Sequence, residues 1–413
     1  MASILQPKSQ TTVFLDQPPS CLEFCPEIRD HFVAGTYLLS ETKNESGETQ
    51  QTKTGSLQLW KLDPNTSKLS LVQRLALPYA VFDLHFHPRE KNKFAIVGST
   101  GLAAYFSVSD DPSPTITQIW SKQIHDDTSI PALFFAWAPQ AWFPRSTSDG
   151  FAVTFSDSRT TVFGTDGNIE DGQIAEWGSY QARQVIEVWF VALAAIKQGP
   201  GVENTDTIPF MFTGDDFGSL HTRRFQNHEQ GDDEESLAPL LLEHDDRARH
   251  HTAGVTAILP LGVPMVDDAP ILLTGSYDEG LRVYHATRRG EVLAEQCLGG
   301  GVWRLQLLSS KEVSSPNDSE QILERHFVVL ASCMHAGTRV VRVTQGNLGQ
   351  GPVEWEWDLQ ILAEFTEHES MNYASDVWKG AKSEHSDSLQ PAELLCVSSS
   401  FYDRRVCVWR VNV

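Results

Sequence analysis

One short stretch of the chain, His368-Glu369-Ser370-Met371-Asn372-Tyr373-Ala374-Ser375-Asp376, holds the three residue types of a hydrolytic triad. Acyl transfer needs a nucleophile or an activated water, a base, and donors for a developing oxyanion. His368, Ser370 and Asp376 are the candidates for those roles. His368 and Ser370 lie two residues apart, so a direct hydrogen bond between them requires the loop to fold back. The plainer alternative makes Ser370 a loop cap and Asp376 a strand residue that holds backbone.

A second candidate base is His335, which follows Cys333-Met334 where a turn would ordinarily carry Asp, Asn or Gly. An imidazole there either contacts a ligand or makes a structural hydrogen bond. Cys333 is a nucleophile in principle, but a buried strand-end cysteine usually serves as a small apolar residue. Asp157, Asp216, Asp278 and Asp403 occupy equivalent turns, which favours a backbone-binding role for all four. Tyr277 and Glu279, flanking one of them, are less explained by the turn and are candidates to face a substrate. Trp303 and Arg304, further candidates to bind a substrate, follow Gly299-Gly300-Gly301. Glycines let the backbone approach a ligand and offer N–H groups to it, or they ease a tight crossing between elements.

Positioning these residues falls to a repeat. Seven times an apolar run leads through a small or turn cluster to an alternating segment that usually closes on a bulky residue. The closing positions are Trp60, Phe106, Phe163, Arg223, Tyr284, Val341 and Trp409. Period-two alternation predicts half-buried strands, and the Gly, Asp and Ser between the halves supply hairpin chemistry. A further strand precedes each hairpin, several ending in proline, as in Cys21-Leu22-Glu23-Phe24-Cys25-Pro26 and Asp83-Leu84-His85-Phe86-His87-Pro88. The repeat exceeds the roughly 40–45 residues of a minimal WD unit, so each copy carries extra loop.

The predicted fold is all-β: one seven-bladed WD-repeat β-propeller over residues 1–413. Polar insertions are expected near 41–54, 107–117, 226–250, 309–324 and 380–389. Within the third, the runs Asp232-Asp233-Glu234-Glu235 and Glu243-His244-Asp245-Asp246 read as solvated loop, with an acidic contact for a basic partner as the alternative. The chain stops soon after the third strand of its last repeat. Thr11-Thr12-Val13-Phe14-Leu15 is therefore the expected fourth strand, closing the ring.

Lys and Arg total 32 against 54 Asp and Glu, a net charge of −22, which argues against a general nucleic-acid binder. Six scattered cysteines make neither a disulfide framework nor a C-x-x-C zinc pair. The first residues lack the apolar core of a signal peptide, and no apolar run reaches membrane-spanning length. A cytoplasmic protein with no membrane contact is the expectation. No G-x-S-x-G elbow, H-E-x-x-H, Walker loop or G-x-G-x-x-G occurs. From pattern alone the reading is a non-catalytic WD-repeat scaffold or adaptor for protein–protein interaction.

Several segments are more particular than the repeat requires: Gly35-Thr36-Tyr37-Leu38, Gly275-Ser276-Tyr277-Asp278-Glu279, Gly299-Gly300-Gly301-Val302-Trp303-Arg304-Leu305 and Cys333-Met334-His335-Ala336-Gly337. With His368 to Asp376 and Ser400-Phe401-Tyr402-Asp403, in this order, they resemble the diphthine methyl-ester hydrolase family, WD-repeat enzymes of diphthamide biosynthesis. The resemblance runs from about residue 20 to the end. It implies a protein methylesterase acting on elongation factor 2, with methylated diphthine as substrate and diphthine and methanol as products. No cofactor is expected and no metal constellation is evident in the sequence, which leaves a metal assembled from distant blades open; other proteins of the pathway are further expected partners. Diphthine bears a fixed trimethylammonium, a group that favours aromatic faces and nearby carboxylates. Tyr37 and Tyr402 are then candidates for an aromatic collar, with core packing as the alternative.

Overall fold

The computed structural model describes residues 3–43, 49–197, 207–226, 236–315, 318–347, 355–380 and 393–413. Seven antiparallel sheets form a closed ring of seven blades, with no α-helix among the described residues. The inner strands Pro19–Phe24, Val81–Phe86, Ala132–Trp137, Val188–Lys197, Val255–Pro260, Arg304–Ser315 and Asn372–Val377 begin blades 1 to 7. Each inner strand packs on the next, and the seventh returns to the first. Phe, Val, Ile and Leu side chains from neighbouring blades fill the spaces between sheets, as in the stacked rings of Phe365 and Trp409 from blades 6 and 7. No helix among the described residues is long and apolar enough to cross a membrane.

The expected closure is present. Ser9–Phe14 pairs antiparallel with Arg405–Asn412 as the outermost strand of blade 7. The segment before it reaches blade 6, where the Leu5 amide donates to the Leu362 carbonyl and the Glu364 amide donates to Leu5. The segment after it reaches blade 1, where Asp16 pairs with Arg74 at 2.8 Å. One terminal segment thus seams three blades.

Several expected loops are strands. Leu38–Lys43 and the first half of Thr49–Asp63 make a hairpin that extends blade 1. Most of 309–324 is the paired extension of Arg304–Ser315 and Asp318–Ser332 in blade 6. Around 107–117 lie the ends of Leu102–Ser109 and Thr115–Gln123. Leu240–Asp245, inside the 226–250 stretch, is the outer strand of blade 4. The Glu243–Asp246 run is therefore not a solvated loop. Asp246 is buried, and accepts from the Leu220 amide and the Tyr284 hydroxyl at 2.9 Å each. The acidic run at 232–235 and the stretch 381–389 lie outside the described residues.

A local irregularity recurs at the second residue of the inner strands. In blades 1, 2, 3, 4, 5 and 7 the pairing skips Ser20, Phe82, Leu133, Trp189, Thr256 and Tyr373 in turn. Each is a β-bulge, which leaves one residue outside the ladder and re-aims its side chain. In blade 6 the corresponding residue is Trp303, just ahead of the strand, its amide donating to the Ser332 carbonyl at 2.8 Å. The inner strand there starts at Arg304, so Gly299–Trp303 is a crossing loop rather than strand.

Candidate functional site

Five of the six bulge residues open onto one cavity of about 590 Å³ at the ring's mouth: Ser20, Phe82, Leu133, Trp189 and Tyr373, joined there by Trp303. Its wall is a nearly continuous run of aromatic rings. Phe82 meets Tyr37 edge-on at 5.5 Å, and Tyr37 leans on Phe401 at 5.9 Å. Phe401 meets Tyr373 at 5.6 Å, and Tyr373 lies 4.9 Å from Trp303. Trp303 in turn touches Trp189 and Tyr277, both at 5.8 Å. Tyr402, 70% exposed, stands on the rim. Burial holds the Tyr37, Tyr277 and Tyr373 phenols above their ordinary pKa, so they are neutral donors at physiological pH.

Backbone and turn residues hold these rings. The Trp189 indole donates to Asp216 at 2.7 Å. Ser370 accepts from the Tyr402 amide at 2.7 Å, which sets the rim loop. Tyr37, Tyr277, Trp303 and Tyr402, named from the sequence as substrate-binding candidates, all line this cavity; Trp189, Phe82 and Tyr373 were not among them.

Beneath the aromatic mouth, sharing Ser20 and Tyr373 with it, a narrower cavity of about 200 Å³ continues along the channel. Its charged groups come from the inner strands of blades 1, 2, 6 and 7. His85 Nδ1 lies 3.2 Å from Glu23 Oε2, and His85 Nε2 lies 3.0 Å from Asp83 Oδ2 without hydrogen-bond alignment. Arg304 lies 3.6 Å from the other Asp83 oxygen. Its guanidinium sits 4.6 Å over Phe134 and 4.8 Å over Trp303, and donates to the Trp303 carbonyl at 2.9 Å. Asp376 accepts from Gln306 at 2.6 Å and from the Phe24 and Val377 amides at 2.7 Å each.

Burial raises the Asp376 pKa. It also works against a charged imidazole at His85, but the Asp83 and Glu23 carboxylates outweigh it and raise His85 to about 10. His85 is therefore an imidazolium at neutral pH. A folded-state pKa above the ordinary 6.5 stabilises the fold fully below about pH 6.5, and that contribution is lost as pH rises through about 10. The melting temperature of the wild type minus that of His85→Gln should accordingly shrink between those pH values. A difference that stays flat across the window contradicts the pairing.

The structure separates the triad candidates. His368 is buried and its Nε2 bonds Ser398 Oγ at 2.8 Å, which also accepts from the Trp409 indole at 3.0 Å. Burial lowers its pKa to about 4. Asp403 bonds the neighbouring Glu369 amide at 3.1 Å. His251 repeats the arrangement in blade 5 through Thr274 at 2.9 Å, with Asp278 on the Thr252 amide. His368, Ser370 and Asp376 thus each have different partners: Ser398, the Tyr402 amide, and the channel-lining Gln306 with Phe24. Replacing His368 by alanine should cost about 2 kcal/mol of unfolding free energy, since it leaves the buried Ser398 hydroxyl without its imidazole partner. Lost turnover at unchanged stability would return His368 to chemistry.

His335 is exposed in its turn and has no hydrogen-bond partner among the described residues. Cys333 is buried and its thiol is pushed up to about 12, so it is not a thiolate at neutral pH. Glu279 turns toward Cys297, 3.8 Å away, and does not line the aromatic mouth. The glycine run serves a crossing: a Cβ on Gly300 would lie 2.3 Å from the Cys333 carbonyl oxygen, and Gly299 has a φ of 81°. Among the described residues no group of three His, Cys, Asp or Glu is placed to hold a metal ion.

No protein-family model matches the chain. Curated relatives named diphthine methyltransferase are similar to part of it. The Schizosaccharomyces pombe protein is 30% identical over 166 residues, 38% of this chain and 38% of that protein. The Homo sapiens protein is 27% identical over 120 residues, 28% of this chain and 22% of its own length. The Mus musculus protein is 28% identical over 28% of this chain and 21% of its own. The matched stretches thus span well under two thirds of those relatives. The motifs and these comparisons point to one group of proteins. Among solved structures, Chaetomium thermophilum Sqt1 bound to the N-terminus of the ribosomal protein L10 superposes with a TM-score of 0.53. That match covers 98% of this chain and 100% of that one at 12% identity, and shows the propeller fold alone.

Proposed function

We propose that this propeller hydrolyses the methyl ester of methylated diphthine on elongation factor 2, releasing methanol and diphthine. The observation that carries the reading is the aromatic mouth set over a charged channel. Methylated diphthine carries a quaternary ammonium and an ester on the same carbon, at the end of a flexible arm on a modified histidine. A quaternary ammonium cannot donate hydrogen bonds, and aromatic faces attract it without requiring any. The bowl of Tyr37, Trp189, Tyr277, Trp303, Tyr373 and Phe401 offers such faces. An ester one bond away from the ammonium carbon then reaches the polar channel below.

The partial similarity to proteins named diphthine methyltransferase supports the same substrate. A net charge of −22 supports capture of a cationic side chain through the field of the whole molecule. Purified protein is expected to remove one methyl group from methyl-esterified diphthine on elongation factor 2, read by mass spectrometry with methanol as co-product. A stable complex without any mass change would make the protein an adaptor that presents the elongation factor to the pathway's other proteins.

A further inference from the structure

Blades 3, 4 and 5 show what the channel wall needs in order to fold. At the position after the bulge they carry Phe134, Phe190 and Ala257, where blades 2 and 6 carry Asp83 and Arg304. Two positions further on they have Ala136, Ala192 and Leu259, where blades 1, 2, 6 and 7 have Glu23, His85, Gln306 and Asp376. Apolar side chains therefore suffice at equivalent sites, and the charges gathered on four adjacent blades are not required by the ring. Their bonding is also incomplete. Gln306 Oε1 is buried without a hydrogen-bond partner, and Asp83 Oδ2 and His85 Nε2, 3.0 Å apart, form an ion pair out of hydrogen-bond alignment, with the Asp83 side chain only 3% exposed. Buried polar atoms in native proteins are normally paired, so such a set marks a place where a ligand completes the bonding. Arg304 donates through one nitrogen to the Trp303 and Thr256 carbonyls at 2.9 and 3.4 Å, has a loose 3.6 Å contact to one carboxylate oxygen, and rests on aromatic faces.

We infer that this charged half of the channel is the hydrolytic centre, with Glu23 as the general base, Arg304 as the oxyanion donor and His85 as the positioning residue between the Glu23 and Asp83 carboxylates. The inference rests on the proposed ester hydrolysis. Glu23 Oε2 is occupied by His85 Nδ1 and the Phe86 amide, both at 3.2 Å, while no partner is found for Oε1 among the described residues. Oε1 takes a proton from water as the water oxygen bonds to the ester carbon, and the carbonyl electron pair moves onto its oxygen, facing Arg304. The C–OCH3 bond then breaks, the proton held by Glu23 passes to the departing methoxide, and methanol leaves. The new carboxylic acid releases its remaining proton to solvent. Asp83 on the same strand, and Glu23, Arg304 and Asp376 on the inner strands of blades 1, 6 and 7, are the charged groups that line the channel with His85. His85 Nδ1, 3.2 Å from Glu23 Oε2, fixes that carboxylate and sets a positive charge beside it.

The test measures single-turnover hydrolysis and substrate affinity side by side, using methyl-esterified elongation factor 2 with wild type, Glu23→Gln, Glu23→Asp, Arg304→Met and His85→Gln. Glu23→Gln and Arg304→Met should each lower the rate at least about 100-fold, with affinity changed less than about threefold. Glu23→Asp keeps the carboxylate and should recover part of the loss. His85→Gln should shift the acid limb of the pH–rate profile upward while KM moves little, which a merely structural role would not do. Reaction in oxygen-18 water should place the label in the diphthine carboxylate. Wild-type rates in Glu23→Gln, or label in methanol, overturn this assignment and leave the hydrolase reading standing. An inert wild type overturns the hydrolase reading itself. Should Glu23→Gln fail to fold, the isotope result and the His85→Gln profile decide alone.

Discussion

Removal of residues 1–16 is expected to lower the melting temperature by more than about 10 °C and to blunt the cooperativity of unfolding. The lost strand makes a five-pair ladder with Arg405–Asn412, and Leu15 adds a bond to the Arg404 carbonyl at 2.9 Å. Each backbone hydrogen bond contributes about 1 kcal/mol net, against a typical total stability of about 5–15 kcal/mol. The loss is not confined to blade 7. Leu5 leaves blade 6 and Asp16 leaves Arg74 and Gln58 of blade 1, so the seam between the chain's two ends opens. Scanning calorimetry of the truncated chain checks this. A synthetic peptide of residues 3–16 added in trans should restore part of the shift, and an unchanged melting temperature would sink the closure.

The second large effect is expected at Trp303. Its ring touches Tyr373, Trp189 and Tyr277, and its face carries the Arg304 guanidinium. A desolvated cation over an aromatic face gains about 2 kcal/mol or more, close to a 30-fold change in an equilibrium constant. Trp303→Ala should therefore cut kcat/KM for the methyl-esterified substrate at least about 30-fold. Most of the loss should fall on KM, with some on kcat because Arg304 loses its platform. Trp303→Phe keeps an aromatic face and should stay within about fivefold of wild type. Tyr402→Ala, at a largely exposed rim, should do less than either. Equal losses at Trp303 and Tyr402 would mean that general hydrophobicity, not a cation seat, governs binding.

Much of this architecture was legible in the residues. Seven copies of a period-two pattern gave the blade count, and the alternating run Thr11–Leu15 ahead of the first repeat was legible as one further strand. Tyr37, Tyr277, Trp303 and Tyr402 were legible because each sits in a segment more specific than a turn demands. The charged cluster was not. Glu23, Asp83 and His85 stand singly within apolar strands, where the alternation accounts for a polar residue without any function. Only ring closure brings blade 6 to within ion-pair distance of blade 2, joining Arg304 to Asp83. His368 misled for the opposite reason. Its spacing to Ser370 imitates a catalytic pair, while the hydrogen bond that defines it goes to Ser398, a full blade-strand away. The hairpin in blade 6 looked like polar loop because both its faces are solvated, so polarity there carries no periodic signal.

The recurring bulge separates two demands that usually compete for one position in a sheet. Because the displaced residue takes no part in the ladder, exchanging Ser20, Phe82 or Trp189 for another side chain leaves every strand's register as it was. Selection can consequently rewrite the rim of such a ring one spoke at a time, and cargo preference can drift across relatives while the disc itself stays put.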